Sequence, residues 1–313
     1  MCPPGSRVLI GISGGSDSVA LTLLLLDLAA NNEFSVVSLA HLNHQLRPSA
    51  ERDEAFCRDL AARHGLPIVV ERVDVKEYGS SHGLSLEDAG RRVRYDFLGR
   101  AAAEADATRV AVGHTQDDQA ETFLLKLMRG AGLTGLGGIY PRRGLIVRPL
   151  LDISRADLRA YLVGRGEAWM DDESNDDVEN PRNRVRHVVL PELDRTARGA
   201  TRPAIARAAA LVREDGEWLD ELSRGRFEAL ATVTPDGVEL DAPALAAEPP
   251  PVVRRVLLEA MRRAAGGREV GLDHVEAARA ILCGNGRGAD VPGSRVELRR
   301  GKLVLVRQKG ASK

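Results

Sequence analysis

The chain has 313 residues, 43% of them hydrophobic and only 4% aromatic, with 44 basic against 45 acidic side chains and a formal charge of −1. That length has room for two domains with aliphatic cores, and the near-zero net charge excludes a global attraction to nucleic acid, so such a partner must be met by a local concentration of charge. Three scattered cysteines, Cys2, Cys57 and Cys283, argue against a disulfide framework or a cysteine zinc site; without a basic-then-apolar leader or an apolar run long enough for a bilayer, the expectation is a soluble cytoplasmic protein with no membrane contact.

The first element, Arg7–Ile12, reads as a buried strand, and Val19–Leu28 reads as a helix too apolar to face water on any side. Between them stands SGGSDS, Ser13–Ser18. A strand-to-helix turn there leaves backbone N–H groups unpaired at the positive end of a helix dipole, which suits a phosphate, and Gly14 and Gly15 remove side chains that would keep it away. The turn lacks the Lys-Ser/Thr ending of a Walker A loop and is not G-x-G-x-x-G. The simpler alternative is a tight turn in which Ser16 or Asp17 only caps the helix.

Helix Asp17–Ala30 is followed by strand Ser35–His41, helix Ser49–His64, strand Ile68–Val73, helix Leu86–Ala105, strand Arg109–Gly113 and helix Asp117–Met128. This repetition predicts an α/β fold with a mostly parallel sheet and helices on both faces, whose ligands sit beyond the carboxyl ends of the strands. Those ends carry SGGSDS, HLNHQLR (His41–Arg47) and GHTQDDQAET (Gly113–Thr122), three polar clusters converging on one edge. His41 and His44 have no third ligand nearby and do not read as a metal site. His114 is either a nucleotide or substrate contact or a structural hydrogen-bonding group. Asp118 and Glu121, three apart, share a helix face, although a helix N-terminus attracts acids in any case. Arg91 and Arg94 share a face of the preceding helix, as phosphate or RNA contacts or as surface charges.

Past residue 140 the pattern changes. LIVRPLLDISRADLRAYL gives a short strand and a helix in which Ser154 and Asp157 fit a capping box. GAGLTGLGG (Gly130–Gly138) contains G-x-G-x-x-G but follows a helix rather than a strand, so it reads as a mobile loop near the site and not as a dinucleotide fingerprint. An acidic run from Asp171 to Glu179 is followed, between Arg182 and Arg213, by eight arginines against two acids, a local charge of +6. That reversal fits either an anionic partner or a solvated helical face. Glu214–Leu230, Arg254–Ala264 and Leu272–Leu282 read as helices, and Arg295–Arg307 as a hairpin turning at Arg300-Gly301. The expected division is residues 1–212 and a smaller, mostly helical region at 213–313.

SGGSDS is similar to the pyrophosphatase loop of the N-type ATP pyrophosphatases, the PP-loop superfamily, with its adenine nucleotide alpha hydrolase-like fold. Together with HLNHQLR, RRVRY (Arg91–Tyr95), GHTQDDQAET and DESNDDVENPRNRVR (Asp172–Arg186), it resembles the tRNA(Ile)-lysidine synthetase family. The resemblance implies a cytoplasmic ligase acting on the isoleucine tRNA with a CAU anticodon. The C2 oxygen of the wobble cytosine attacks the α-phosphate of ATP, and the ε-amine of free L-lysine then displaces AMP.

It implies ATP held by Ser13, Gly14, Gly15, Ser16, Asp17, Ser18 and His114, with Mg2+ on Asp17. It further implies catalytic roles for Asp17, Arg91, Asp118 and Glu121, the last two toward lysine, and tRNA contacts from Arg94, Arg182, Arg184 and Arg186. Residues 1–212 would be the adenylating domain and 213–313 a tRNA-contacting one, with a homodimer as a source of further surface. Two other readings stand beside it: a tRNA thiolase of the same superfamily, disfavoured by the scattered cysteines, and a non-catalytic RNA-binding module on the same fold.

Overall fold

A computed structural model describes residues 1–31, 33–46, 49–170, 179–197 and 201–308. Arg47, the acidic run at 171–178 and Arg198 lie outside the described residues. The chain divides into two compact units, Met1–Arg213 and Glu214–Lys313.

In the first unit the strands are β1 (Ser6–Gly11), β2 (Phe34–Asn43), β3 (Ile68–Arg72), β4 (Arg109–Val112), β5 (Arg142–Arg143) and β6 (Ile146–Val147). The helices are α1 (Ser16–Ala29), α2 (Ala50–Arg63), α3 (Val75–His82), α4 (Leu86–Glu104), α5 (Gln116–Met128), α6 (Leu133–Leu136), α7 (Arg155–Arg165), α8 (Pro181–Arg184) and α9 (Leu190–Thr196). Sheet order is β3-β2-β1-β4-β6-β5, parallel except for β5.

Alternation along β1 sorts the two faces. Val8, Ile10 and Ile12 pack with Val19, Leu21, Leu23 and Leu25 of α1, Cys57 and Leu60 of α2, and Leu158 and Leu162 of α7. Leu9 points the other way, toward Phe97, Leu98, Ala101 and Ala102 of α4. A strand buried on both faces has no use for polar residues, which is why it reads as an unbroken apolar run. The chain winds from β1 outward to β2 and β3, then returns to the other side of β1 as β4. The loops after β1 and β4 therefore leave the sheet side by side at a topological switch point, where a crevice opens.

Three local features depart from the sequence expectation. Helix α3, N-capped by Asp74 through Glu77 N–H at 3.0 Å, was not expected. The Gly130–Gly138 segment contains the one-turn helix α6 and is tied down by the Gln119 amide, which bonds Gly137 O at 3.2 Å and Ile139 N–H at 2.7 Å, so it is not an open loop. Ser154 caps α7 through Asp157 N–H, but the Asp157 carboxylate takes the Ser154 hydroxyl at 2.6 Å instead of closing a capping box.

The long helix α10 (Thr201–Leu230) runs across the division between units. Beyond it lie β7 (Ala231–Thr234), β8 (Gly237–Asp241), α11 (Ala242–Ala246), α12 (Pro250–Ala264), α13 (Leu272–Leu282), β9 (Gly288–Val291), β10 (Ser294–Arg299) and β11 (Lys302–Arg307). The expected helices are present, and the expected hairpin turns at Arg300 and Gly301, both with positive φ (48° and 80°), as a two-residue hairpin turn requires. That hairpin is part of an antiparallel sheet, β7-β8-β11-β10-β9, with its own core of Phe227, Val238, Leu240, Val256, Leu257, Met261, Val296, Leu303 and Leu305. Short strands such as Ala231–Thr234, half exposed and without strict alternation, carry little periodic signal of their own.

Candidate functional site

The loop after β1 is shaped by hydrogen bonds among its small residues. Gly14 adopts φ +88°, a conformation glycine takes without strain. The Ser18 hydroxyl accepts from Ser13 N–H at 3.1 Å and donates to Gly15 O at 3.0 Å, drawing the loop around the helix end. Gly15 is the N-cap of α1 and no side chain caps it. The cap alternative for Ser16 or Asp17 is thus incorrect: both lie inside the first turn, and no side chain takes up the N-terminal N–H groups that an anion site needs. Gly113, after β4, approaches so closely that a Cβ there would sit 3.1 Å from the Asp17 carbonyl. A larger residue there would have to push the first turn of α1 back by a few tenths of an ångström.

Asp17 Oδ1 accepts the Ser16 hydroxyl at 3.1 Å, and Oδ2 accepts Arg155 Nε at 2.9 Å. Burial pushes the Asp17 carboxyl above its ordinary value, with Arg155 opposing. Asp118 completes a capping box with Thr115: its Oδ2 accepts Thr115 N–H at 2.8 Å and the Thr115 hydroxyl at 3.0 Å. Its other oxygen, Oδ1, takes Arg155 Nη2 at 3.2 Å and Arg182 Nη2 at 3.0 Å. Capping and ion pairing therefore coexist in one carboxylate. Glu121, one turn on and fully buried, takes Arg182 Nε at 2.7 Å and Arg186 Nε at 2.6 Å. Burial would raise the Asp118 carboxyl, but Arg155 and Arg182, helped by His114 and the Thr115 N–H, outweigh it and hold it at about 2.

Three acids from two helices, α1 and α5, are thus interleaved with three arginines from two other segments. Arg182 and Arg186 face inward from α8 and the π-helical turn Val185–Val189, while Arg184 points out, half exposed, with Glu179 3.8 Å away. Pro191 follows this turn in α9 and has no N–H to give an α-type bond, which accounts for the widened turn. The +6 segment is therefore split: two of its first three arginines neutralise Asp118 and Glu121 inside the unit, and one faces out. Arg202 joins the periphery through Asp117 at 3.1 Å.

His114 has a buried Nδ1 without a hydrogen-bond partner, and burial lowers it to about 4, so it is neutral near pH 7. His44 behaves likewise, lowered to about 4 by burial and by Arg94. His41 Nδ1 donates to Ile12 O, 3.0 Å away. Among the described residues no group of three His, Cys, Asp or Glu would hold a metal by itself. A single carboxylate beside a phosphate loop does suit Mg2+, which takes most of its remaining ligands from phosphate and water.

Arg91 lies over the Tyr95 ring at 5.0 Å, and Arg94 is exposed. Buried Arg148 bonds Tyr95 Oη at 3.0 Å and Tyr140 O at 2.7 Å, and Arg213 lies over the Tyr140 ring at 5.9 Å. Sequence reasoning did not single out Arg155, Arg148, Thr115 or Gly113 as site residues. Thr115 sat three residues before Asp118 as a legible capping pattern. Arg155, 138 residues from Asp17, left no signal.

Residues 3–193 match the PP-loop domain family. The chain is 41% identical over 295 residues to a tRNA(Ile)-lysidine synthase of Geobacter sulfurreducens, covering 92% of this chain and 62% of that protein. It is 43% identical to one from Thermus thermophilus, covering 68% and 41%, and 38% identical to one from Deinococcus radiodurans, covering 93% and 46%. The chain thus spans roughly half the length of these curated relatives. Among solved structures, a U34-tRNA thiolase of Methanococcus maripaludis with an iron–sulfur cluster superposes with TM-score 0.57 at 16% identity over 68% of this chain and 73% of that one, a likeness of fold. Among the described residues no helix is long and apolar enough to cross a membrane.

Proposed function

This chain belongs to the PP-loop domain family, and from that premise we propose that it is an ATP-dependent ligase forming lysidine on the CAU-anticodon isoleucine tRNA. The observation that carries the reading is the meeting of an uncapped helix terminus and Asp17 with a separate pair of acids, Asp118 and Glu121, across one guanidinium. One end suits a triphosphate and the other an ammonium. The similarity to tRNA(Ile)-lysidine synthases supports the choice of substrates.

In this reading the Ser13–Ser18 loop, through the N–H groups of Gly14–Asp17 and with His114 alongside, holds the phosphates of ATP, while the Ser13 and Ser18 N–H groups keep the loop's shape. Asp17 holds Mg2+, which when bound neutralises charge on the phosphate oxygens. The cytosine O2 forms a bond to the α-phosphorus and pyrophosphate leaves. The lysine ε-amine then forms a bond to C2, and AMP leaves with the electron pair of the C2–O bond. Asp118, held at about 2, is a poor proton acceptor, so its part is to attract the ammonium. Arg91, over the Tyr95 ring, stabilises phosphate or grips the anticodon loop. Arg94 and Arg184, both exposed, can face RNA phosphate in a way that Arg182 and Arg186, bonded to Glu121, cannot without exchanging partners. The unit ending at Arg213 is the adenylating domain, and Glu214–Lys313 adds tRNA contacts, with a homodimer extending that surface.

Incubation with ATP, radiolabelled L-lysine and a transcript of the candidate tRNA tests this. Label in RNA, with one AMP and one pyrophosphate per lysine, is the expected result. ATP-dependent sulfur incorporation, or RNA binding without turnover, would assign the fold to another task. Sedimentation of the same protein reads the homodimer.

A further inference from the structure

Arg155 is singular in this site: each of its three guanidinium nitrogens faces a different carboxylate. Nε meets Asp17 at 2.9 Å, Nη2 meets Asp118 at 3.2 Å, and Nη1 lies 3.8 Å from Glu121. Among the described residues no other side chain pairs with both the phosphate-loop acid and the α5 acids. Its backbone is fixed independently. Arg155 N–H donates to Asp117 Oδ2 at 2.8 Å, and Gln116 N–H donates to Ile153 O at 3.0 Å, so the first turns of α5 and α7 are stitched together and only the Arg155 side chain is left to move.

Among the described residues the charge balance of the cluster is even. Asp17, Asp118 and Glu121 face Arg155, Arg182 and Arg186, so an ammonium arriving alone would add an uncompensated positive charge to a largely buried place, which is costly. A phosphate at the loop reverses the sign. It attracts the guanidinium that Asp17 holds, and as Arg155 turns toward the phosphate the α5 acids lose one cation. An ammonium can replace it.

We infer that Arg155 is a positioning residue that opens the Asp118–Glu121 pair to an ammonium only when an anionic phosphate is seated at the Ser13–Ser18 loop. This rests on the reading above, in which ATP fills the loop and lysine the acidic pair. Lysine then binds after ATP, which keeps a nucleophilic amine out of the site until there is an activated base to attack. Because binding free energies are linked, lysine must tighten nucleotide binding by the same factor.

The test is the dissociation constant of radiolabelled L-lysine for the full chain, by equilibrium dialysis, with and without a non-hydrolysable ATP analogue and Mg2+. The wild-type protein is expected to bind lysine about tenfold or more tightly with the analogue. In Arg155→Gln and Arg155→Lys the ratio should fall below about twofold, because glutamine carries no charge and a lysine ammonium cannot face three carboxylates at once. Arg155→Lys keeps the charge and serves where the glutamine variant does not fold, with melting temperature as the control. An equal ratio in wild type and folded variant overturns the inference, as does wild-type lysine binding that ignores the analogue. Those results accompanied by lysine transfer to tRNA leave the functional reading standing; absence of both lysine binding and transfer overturns the reading and the inference together.

Discussion

At Asp17 the two carboxylate oxygens are committed in different directions, one to the Ser16 hydroxyl and one to Arg155. Replacing it with asparagine removes the charge beside the phosphate loop and should lower tRNA-dependent pyrophosphate release by about 100-fold or more. Filter binding of tRNA should be little changed, and near-normal release would remove Asp17 from the chemistry. His44 and His114 give a second residue-scale expectation. Both fall from 6.5 to about 4 on folding, so between those values the unfolded chain binds protons that the folded chain refuses. Stability therefore rises with pH across that window and is lost as pH falls through it, on the order of 2 kcal/mol for each histidine once solvent screening is allowed for. His44→Gln should flatten the dependence of melting temperature on pH between 6.5 and 4.5; an unaltered slope would show that other groups carry it.

Helix α5 and the α8–π segment act as a pair of elements. The Thr115 cap, Asp118 and Glu121 place two carboxylates on one face of α5, and Arg182 and Arg186 reach them from the facing segment. Glu121→Gln leaves two guanidiniums opposite a neutral amide. It should raise the lysine concentration needed for transfer by about tenfold and spare pyrophosphate release by comparison. Equal loss of both steps would place Glu121 elsewhere in the reaction. The three arginines should separate cleanly. Arg182→Ala or Arg186→Ala breaks a buried pair and should cost about 3 kcal/mol of stability or more. Arg184→Ala should leave stability within about 0.5 kcal/mol and lower the slope of log affinity for tRNA against log salt by roughly 0.7 to 0.9. A wild-type salt slope in Arg184→Ala would take this segment out of the RNA interface.

At the scale of the whole molecule, each unit encloses its own apolar core: residues from Val8 to Leu190 supply one set of clusters and residues from Phe227 to Leu305 the other. Separate cores predict separate cooperative transitions in calorimetry, in spite of the continuous helix Thr201–Leu230. A non-hydrolysable ATP analogue with Mg2+ at 100 times its dissociation constant should stabilise only the first unit's transition, by about 2.7 kcal/mol. A single transition moved as a whole would mean that the two cores unfold as one.

The amino-acid order alone determined what depends on near neighbours. Alternation and apolar runs laid out the β-α units, Gly14 and Gly15 marked the phosphate loop, and the spacing of Asp118 and Glu121 put them on one face, because strand and helix periods are local properties of the backbone. The short strand Gly237–Asp241 escaped because its partner β11 lies more than 60 residues later, and Ala231–Thr234, an edge strand paired only to Gly237–Asp241, escaped with it because four half-exposed residues carry little periodic signal. Tertiary structure alone decided who partners whom. Arg182 and Arg186 looked like Arg184 in a run of like charges, and the fold turned two inward and one outward. It also brought Arg155 to Asp17 across 138 residues, a pairing of charges whose energy depends on distance in space and burial and not on separation along the chain.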